Sequence, residues 1–187
     1  MRNFRALQIC VDPIAVCHPI RWCPPQIGMY KLNFDGGKVG ESGWGGGFDI
    51  RNSLRDMMMA ETKQGHGFTE PVEEEALACL LGMRCALGAG FDNIVVEGDC
   101  QSLIQTLDRR RVQDTFAGFI VNDNLSLASS FGFCSCSFVK RGDNRVAHEL
   151  PHRQPFCFCL RTWETDIPNC TAERASEDMY DFLNSNI

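Results

Sequence analysis

Apolar and polar side chains alternate strictly in residues 30–35. The apolar positions are Tyr30, Leu32 and Phe34, and the polar positions are Lys31, Asn33 and Asp35. This period of two is typical of a strand that buries one face, so Asp35 points away from the apolar face, directly before two glycines. Strand-like patterns recur in four further segments, residues 43–51, 54–64, 93–99 and 132–141. The pattern therefore predicts five strands.

Residues 71–87 have a helical period, with apolar side chains on one face. These are Val72, Ala76, Leu80, Met83 and Leu87. Pro71 and three glutamates lie in the first turns, where proline and negative charge are favoured. Glu75 shares a flank with the small residues Cys79, Gly82 and Ala86. This flank is therefore expected to lie close against a sheet.

Shorter helices are predicted at residues 100–111, 116–131 and 143–150, and Pro151 is expected to stop the last of them. The predicted order is three strands, a helix, a strand, two helices, a strand and a helix. Such an order is typical of a mixed sheet with helices packed on its faces. The sequence thus predicts an α/β domain.

The regular patterns are confined to residues 25–153, which are predicted to form the domain. Residues 1–24 are rich in proline and have no period, so they are interpreted as an irregular lead-in. Residues 154–187 are interpreted as a weakly patterned, acidic C-terminal tail. The chain has 187 residues, of which 44% are hydrophobic, as in ordinary soluble domains. No apolar run is long enough to span a bilayer and no signal peptide is recognisable, so no membrane partner is expected.

The formal net charge is −6. This charge argues against a protein that grips nucleic acid by bulk positive charge. It leaves room for a short basic strip beside an acidic metal site. The eleven cysteines include no Cys-x-x-Cys pair, which argues against a zinc site. They are interpreted as buried thiols of an intracellular reducing compartment, the nucleus or the cytoplasm.

Three acids occupy related positions in the predicted elements. Asp35 and Asp99 end two strands, and Glu75 lies in the first turns of the long helix. Adjacent parallel strands bring their carboxyl ends to one edge of a sheet, and a helix packed across that edge adds Glu75. Three like charges repel one another unless a cation joins them, and carboxylates select Mg²⁺ or Mn²⁺. Asp35 taken alone is better explained as a polar residue before a turn, and the other two acids are what favour a metal site.

Four segments resemble, in the same order, those of the ribonuclease H family, in its plant branch related to retroelement reverse transcriptases. The segments are residues 22–37, WCPPQIGMYKLNFDGG; residues 43–51, GWGGGFDIR; residues 73–100, EEEALACLLGMRCALGAGFDNIVVEGDC; and residues 138–150, FVKRGDNRVAHEL. The resemblance implies the ribonuclease H-like fold, a five-stranded mixed sheet with helices on both faces. It also implies Mg²⁺ as the cofactor, with Mn²⁺ as an alternative.

The resemblance assigns metal-binding and catalytic roles to Asp35, Glu75 and Asp99, with Glu74 as the alternative if the helix is rotated. The family's fourth carboxylate lies in an Asn-x-x-Ala-Asp-x-Leu pattern, and here His148 occupies the place of that acid. A neutral imidazole carries no charge to offset a second ion. Weaker binding of Mg²⁺ at the second site, and relatively better activity with Mn²⁺, are therefore expected.

Contacts with a nucleic acid are expected around this predicted site. Candidates for the minor groove of RNA are Gly36, Gly37 and Asn144, and candidates for phosphates are Lys140, Arg141 and Arg145. The arginines at 109–111 are a further basic group, although they also suit the negative end of a helix.

The resemblance implies endonucleolytic hydrolysis of RNA in RNA–DNA hybrids by a two-metal mechanism, with the hybrid as the partner. The alternative is a catalytically impaired domain of the same fold that binds nucleic acid or a protein, and His148 is the feature that keeps it open. A third reading is a degraded retroelement remnant with neither role, which the cysteine-rich tail suggests.

Overall fold

The computed structural model describes residues 22–41, 43–67, 70–110, 115–152, 160–163 and 175–176. Within them, six strands form one sheet: β1 (Tyr30–Val39), β2 (Gly43–Arg51), β3 (Met57–His66), β4 (Asn93–Gly98), β5 (Phe133–Phe138) and β6 (Leu160–Trp163). The helices are α1 (Pro71–Gly88), α2 (Gln101–Arg109), α3 (Phe116–Ala128) and α4 (Arg145–Glu149). Turns of 3-10 helix flank α4 at Arg141–Asp143 and Leu150–His152.

The sheet is mixed, with the strand order β5-β4-β1-β2-β3-β6. β1, β2, β3 and β6 pair in antiparallel fashion, whereas β4 is parallel to both β1 and β5. The predicted mixed five-stranded sheet is confirmed, and β6 extends it by one short edge strand. β6 lies in the segment that the sequence analysis describes as a weakly patterned tail, and no strand is predicted there.

Helix α1 lies against one face of the sheet. Its backbone cap forms at Glu70, whose N–H donates to Glu73 Oε2 at 3.1 Å. Gly82 is on the flank that faces the sheet, where an added Cβ would lie 3.0 Å from Leu32 and 3.1 Å from Phe48. The predicted small-residue flank therefore brings α1 close to β1 and β2. Close approach at this flank buries the carboxyl of Glu75, one turn from the start of the helix.

The core fills the space between this face of the sheet and three helices. Its strand residues include Leu32 and Phe34 of β1, which are fully buried. Helix α4 packs against β1 and β2 from the other face, beside the polar positions of β1. Helices therefore cover both faces of the sheet, as the family resemblance implies.

The second face is polar but buried. Asn33 of β1 accepts a hydrogen bond from Trp22 Nε1 at 2.8 Å, and Lys31 forms an ion pair with Glu97 of β4, also at 2.8 Å. The guanidinium of Arg51 lies 4.1 Å from the centre of the Trp22 ring. Trp22 is only 2% exposed. An aromatic residue from the predicted lead-in thus covers charges that would otherwise be costly to bury.

The α-helix ends at Glu149, before Pro151, as the sequence predicts. A 3-10 turn follows it at Leu150–His152. Gln64 of β3 donates to the carbonyl of Pro151 at 2.8 Å and ties this turn to the sheet. Proline has no backbone N–H to donate, and this turn tolerates its absence.

Most of the described cysteines are free thiols, namely Cys79, Cys85, Cys100, Cys134 and Cys136, whereas Cys23 is disulfide-bonded. Among the described residues, no helix combines the length and apolar character needed to cross a bilayer.

Candidate metal centre

The candidate site lies where β4 separates from β1. β4 ends at Gly98, which pairs with Phe34, while β1 continues to Val39 along β2. The sequence pattern predicts that Asp35 ends its strand, but β1 continues beyond it. Asp35 pairs with Gly47 of β2, just past the end of β4, and Asp99 follows β4 at the same edge. The parallel pairing of β1 and β4 brings these two acids together.

Gly36 brings Glu75 to the same place. A Cβ at Gly36 would lie 2.3 Å from the backbone carbonyl of Glu74, so only glycine lets β1 approach the start of α1 this closely. The backbone N–H of Gly36 donates to Glu75 Oε2 at 3.2 Å. The first turns of α1 are thus held against β1 with the Glu75 carboxylate directed at the sheet edge.

Asp35, Glu75 and Asp99 form one cluster, in which one carboxylate oxygen from each lies within 4.8 Å of the others. Glu74 is not a member of this cluster, so the alternative rotation of the helix is not observed. The three acids come from β1, α1 and the end of β4, which are far apart in the sequence.

Burial changes the protonation of the cluster. Burial, and after it the charges of Asp35 and Asp99, raise the pKa of Glu75 from 4.5 to about 9. Burial also raises the pKa of Asp35 to about 6, against the opposing effect of a hydrogen bond from His148. Three adjacent carboxylates, two of them buried and that of Asp99 half-buried, are a poor arrangement for a protein alone and a good one for a divalent cation. The donor set consists of hard oxygen ligands, so the residues fit Mg²⁺ or Mn²⁺.

His148 lies beside this cluster but outside it. Its Nδ1 is 2.9 Å from Asp35 Oδ2. Because a carboxylate oxygen accepts hydrogen bonds, Nδ1 donates to Asp35. Arg141 Nη2 lies 3.1 Å from Nδ1 and 3.0 Å from Nε2 of the same ring. The imidazole therefore contacts both a carboxylate and a guanidinium.

The residues expected to contact a nucleic acid have different surroundings. Lys140 and Arg141 are exposed, and Gly36, Gly37 and Arg145 are partly exposed. Arg109 and Arg110 are exposed at the end of α2, while Arg111 lies outside the described residues.

Asn144 does not match its expected role. It is only 1% exposed, and its side chain donates to the carbonyl of Phe34 at 2.8 Å and accepts from Asn33 at 3.3 Å. Both ends of its amide are therefore used inside the protein, where they hold α4 against β1. The expected contact of Asn144 with RNA is replaced here by a structural role.

Known proteins share the sequence pattern and the fold of this domain. The model of the reverse transcriptase-like family matches residues 33–154, which is more than half of the chain and includes all three acids. The chain belongs to the reverse transcriptase-like family. Membership of the ribonuclease H family, predicted from the four sequence segments, is confirmed. No curated protein is significantly similar to the chain.

Solved ribonuclease H structures share the fold of this reverse transcriptase-like domain. RNase H1 from the halophilic archaeon Halobacterium salinarum NRC-1 is 20% identical, with a TM-score of 0.61 over 66% of this chain and 95% of that chain. The N-terminal RNase H domain of a Mycobacterium tuberculosis protein is 17% identical, with a TM-score of 0.61 over 79% and 98% of the two chains. LC11-RNase H1, solved in complex with an RNA/DNA hybrid, is 14% identical, with a TM-score of 0.59 over 66% and 94%.

Sequence reasoning missed the polar network that supports the site of this reverse transcriptase-like domain. Asn33 joins Trp22, Glu97 and Asn144, and so connects the covered face of the sheet to α4. The alternation of residues 30–35 places Asn33 on the same side of the strand as Asp35. That pattern identifies the side, but the hydrogen-bond partners lie up to 111 residues away.

Proposed function

We propose that this domain hydrolyses the RNA strand of RNA–DNA hybrids endonucleolytically, with the help of divalent metal ions. The observation that supports this most strongly is the convergence of Asp35, Glu75 and Asp99 within 4.8 Å at one edge of a ribonuclease H fold. The similar protein LC11-RNase H1 was solved in complex with an RNA/DNA hybrid, which supports the choice of substrate. The fold alone would be a weaker argument, because one fold hosts several functions.

The three carboxylates are the residues that would hold the metal. In the two-ion arrangement implied by the family resemblance, bound ions supply an activated water and stabilise the leaving oxygen of the phosphodiester. The chain supplies the fixed positions of the ligands. Glu75 is oriented by the Gly36 N–H, and Asp35 is oriented by the His148 Nδ1–H. These hydrogen bonds hold the acids in place before a substrate arrives.

Recognition of the hybrid would use the rim of the same edge. Gly36 and Gly37 expose backbone beside the carboxylates, where the wide minor groove of an RNA-containing helix could approach. Lys140 and Arg141 are exposed in the segment between β5 and α4 and would contact phosphates. Since the net charge of the chain is −6, binding would depend on these few contacts and would be weak and sensitive to salt.

A cleavage assay tests the proposal. The protein is incubated with an end-labelled RNA–DNA hybrid and Mg²⁺ or Mn²⁺, beside Asp35→Asn and the remote control Arg84→Gln, whose residue is exposed on α1. Metal-dependent cleavage that Asp35→Asn abolishes and Arg84→Gln retains is the expected result. Cleavage of the RNA alone or of duplex DNA at the same rate would contradict the proposed substrate.

The second candidate function is a domain that binds nucleic acid without cutting it. The observation that favours it is His148, which replaces an acid of the family pattern and is bonded to Asp35 at 2.9 Å. In the same experiment, this function predicts that the hybrid is retained in a gel-shift assay but stays intact with either metal.

A further inference from the structure

A permanent positive charge lies next to the carboxylate cluster. Arg141 is exposed in the 3-10 turn before α4, and its Nη2 contacts both ring nitrogens of His148 at 3.1 and 3.0 Å. Equal distances to both nitrogens place this end of the guanidinium over the ring rather than in line with one nitrogen. A guanidinium keeps its charge at any pH relevant to proteins.

The contacts of His148 direct this charge toward Asp35. The Nδ1–H of the ring donates to Asp35 Oδ2 at 2.9 Å, while Arg141 packs on the ring. Contacts therefore connect Arg141 through His148 to Asp35, which is one of the acids that would hold the metal.

A cation bound to this cluster would lie near the charge of Arg141. A divalent ion bound on the His148 side of Asp35 would meet the guanidinium across one imidazole ring, and like charges at such separations repel. His148 cannot offset this repulsion with a negative charge, as a carboxylate at that position would. One of its ring nitrogens is also already engaged with Asp35.

We propose that Arg141, packed on His148, supplies the positive charge that a second cation would otherwise bring, so that Asp35, Glu75 and Asp99 take one divalent ion per chain. This inference rests on the proposed metal site and departs from the two-ion arrangement that the family resemblance implies. Arg141 acts through His148 on Asp35 and is not itself a ligand.

Binding of Mn²⁺ alone, without nucleic acid, tests the proposal. Free Mn²⁺ is measured by electron paramagnetic resonance during titration of the full chain at neutral pH. Wild type is expected to bind one Mn²⁺. Arg141→Gln is expected to bind Mn²⁺ roughly fivefold more tightly, because the neighbouring positive charge is gone. The double variant Arg141→Gln with His148→Asp is expected to bind two ions.

Three variants separate charge from packing and from net charge. Arg141→Lys retains a positive charge and is expected to keep one ion at nearly the wild-type affinity. Arg84→Gln changes the net charge equally on an exposed position of α1 and is expected to behave as wild type. Asp35→Asn is expected to lose the ion. The thermal unfolding midpoint of each variant confirms that it is folded.

Two results would overturn the inference while leaving the proposed function intact: two ions of similar affinity on wild type, or equal Mn²⁺ affinities for Arg141→Gln and Arg84→Gln. If wild type binds no Mn²⁺ at all, the inference and the proposed metal site fail together. The titration thus distinguishes failure of the Arg141 role from failure of the site.

Discussion

Glu75 is buried in contact with β1 and beside two other carboxyls, so the stability of the fold depends on whether Glu75 is protonated. Its pKa is raised from 4.5 to about 9, first by burial and then by the charges of Asp35 and Asp99. Between these two values the unfolded chain releases the proton while the folded protein keeps it. Since the folded state then binds more protons than the unfolded state, stability falls as the pH rises through this range.

We predict that the metal-free protein loses stability as the pH rises from 4.5 to about 9, and that Glu75→Gln removes most of this loss. Thermal unfolding in excess chelator, measured across this range, checks the prediction. At the alkaline end, Glu75→Gln is expected to unfold at least about 3 °C above wild type. Identical pH dependence in the two proteins would contradict the burial of an ionisable Glu75.

His148 differs from the acid of the family pattern in charge, and its replacement tests what that difference does. We predict that His148→Asp raises the ratio of Mg²⁺-supported to Mn²⁺-supported hybrid cleavage by roughly tenfold, a typical effect of groups that orient metal ligands. His148→Asn is the matched control, since it is similar in size to Asp but neutral. If both variants change the ratio equally, the charge of the side chain is not the cause.

At the scale of elements, the site depends on how closely β1 approaches the start of α1. A Cβ at Gly36 would lie 2.3 Å from the Glu74 backbone, whereas a Cβ at the neighbouring Gly37 would have nothing within 4 Å. These two glycines are therefore a matched pair in which only one is needed for the contact between the elements.

We predict that Gly36→Ala destabilises the fold by about 1–3 kcal/mol, the usual cost of forcing an atom into a packed contact. It is also expected to weaken Mn²⁺ binding, because α1 carries Glu75 away from Asp35. Gly37→Ala should change both quantities little. Chemical unfolding and Mn²⁺ titration of the two variants provide the measurements. Equal effects of the two substitutions would mean that the close approach at Gly36 is not required.

For the whole molecule, the cover over the polar face of the sheet is connected to α4 by hydrogen bonds. Trp22 lies over Arg51 and hydrogen-bonds Asn33, which in turn bonds Asn144 at the start of α4. We predict that Trp22→Ala costs about 3–5 kcal/mol of stability, as for other large buried aromatic residues. The expected cost includes solvent entry to the paired charges beneath the indole.

Ile27 is the control for this prediction, because it lies in the same segment but is 94% exposed. Ile27→Ala is expected to change stability by no more than about 0.5 kcal/mol. Urea unfolding, followed by fluorescence or circular dichroism, measures both variants. A small effect of Trp22→Ala would show that the N-terminal segment is not part of the folded unit.

Local patterns in the sequence were enough to predict every helix and strand of the described domain except β6, and the side of each element on which the acids lie. Alternation in residues 30–35 directed Asp35 away from the apolar face, and the helical period in residues 71–87 placed Glu75 on a flank of small residues. Such patterns are local, because a strand or helix repeats its faces every few residues. The four family segments then identified the three acids as one site, and the structure brings them together.

The contacts between side chains that are far apart in the sequence depend on the packing of the whole fold. The position of Arg141 on His148, the burial of Asn144 and the cover provided by Trp22 follow from how α4 and the N-terminal segment pack on the polar face. The pairing of β6 with β3 is likewise a long-range contact of a strand only four residues long, too short to show a period. Polar side chains have many possible partners along a chain, and packing of the whole fold selects among them.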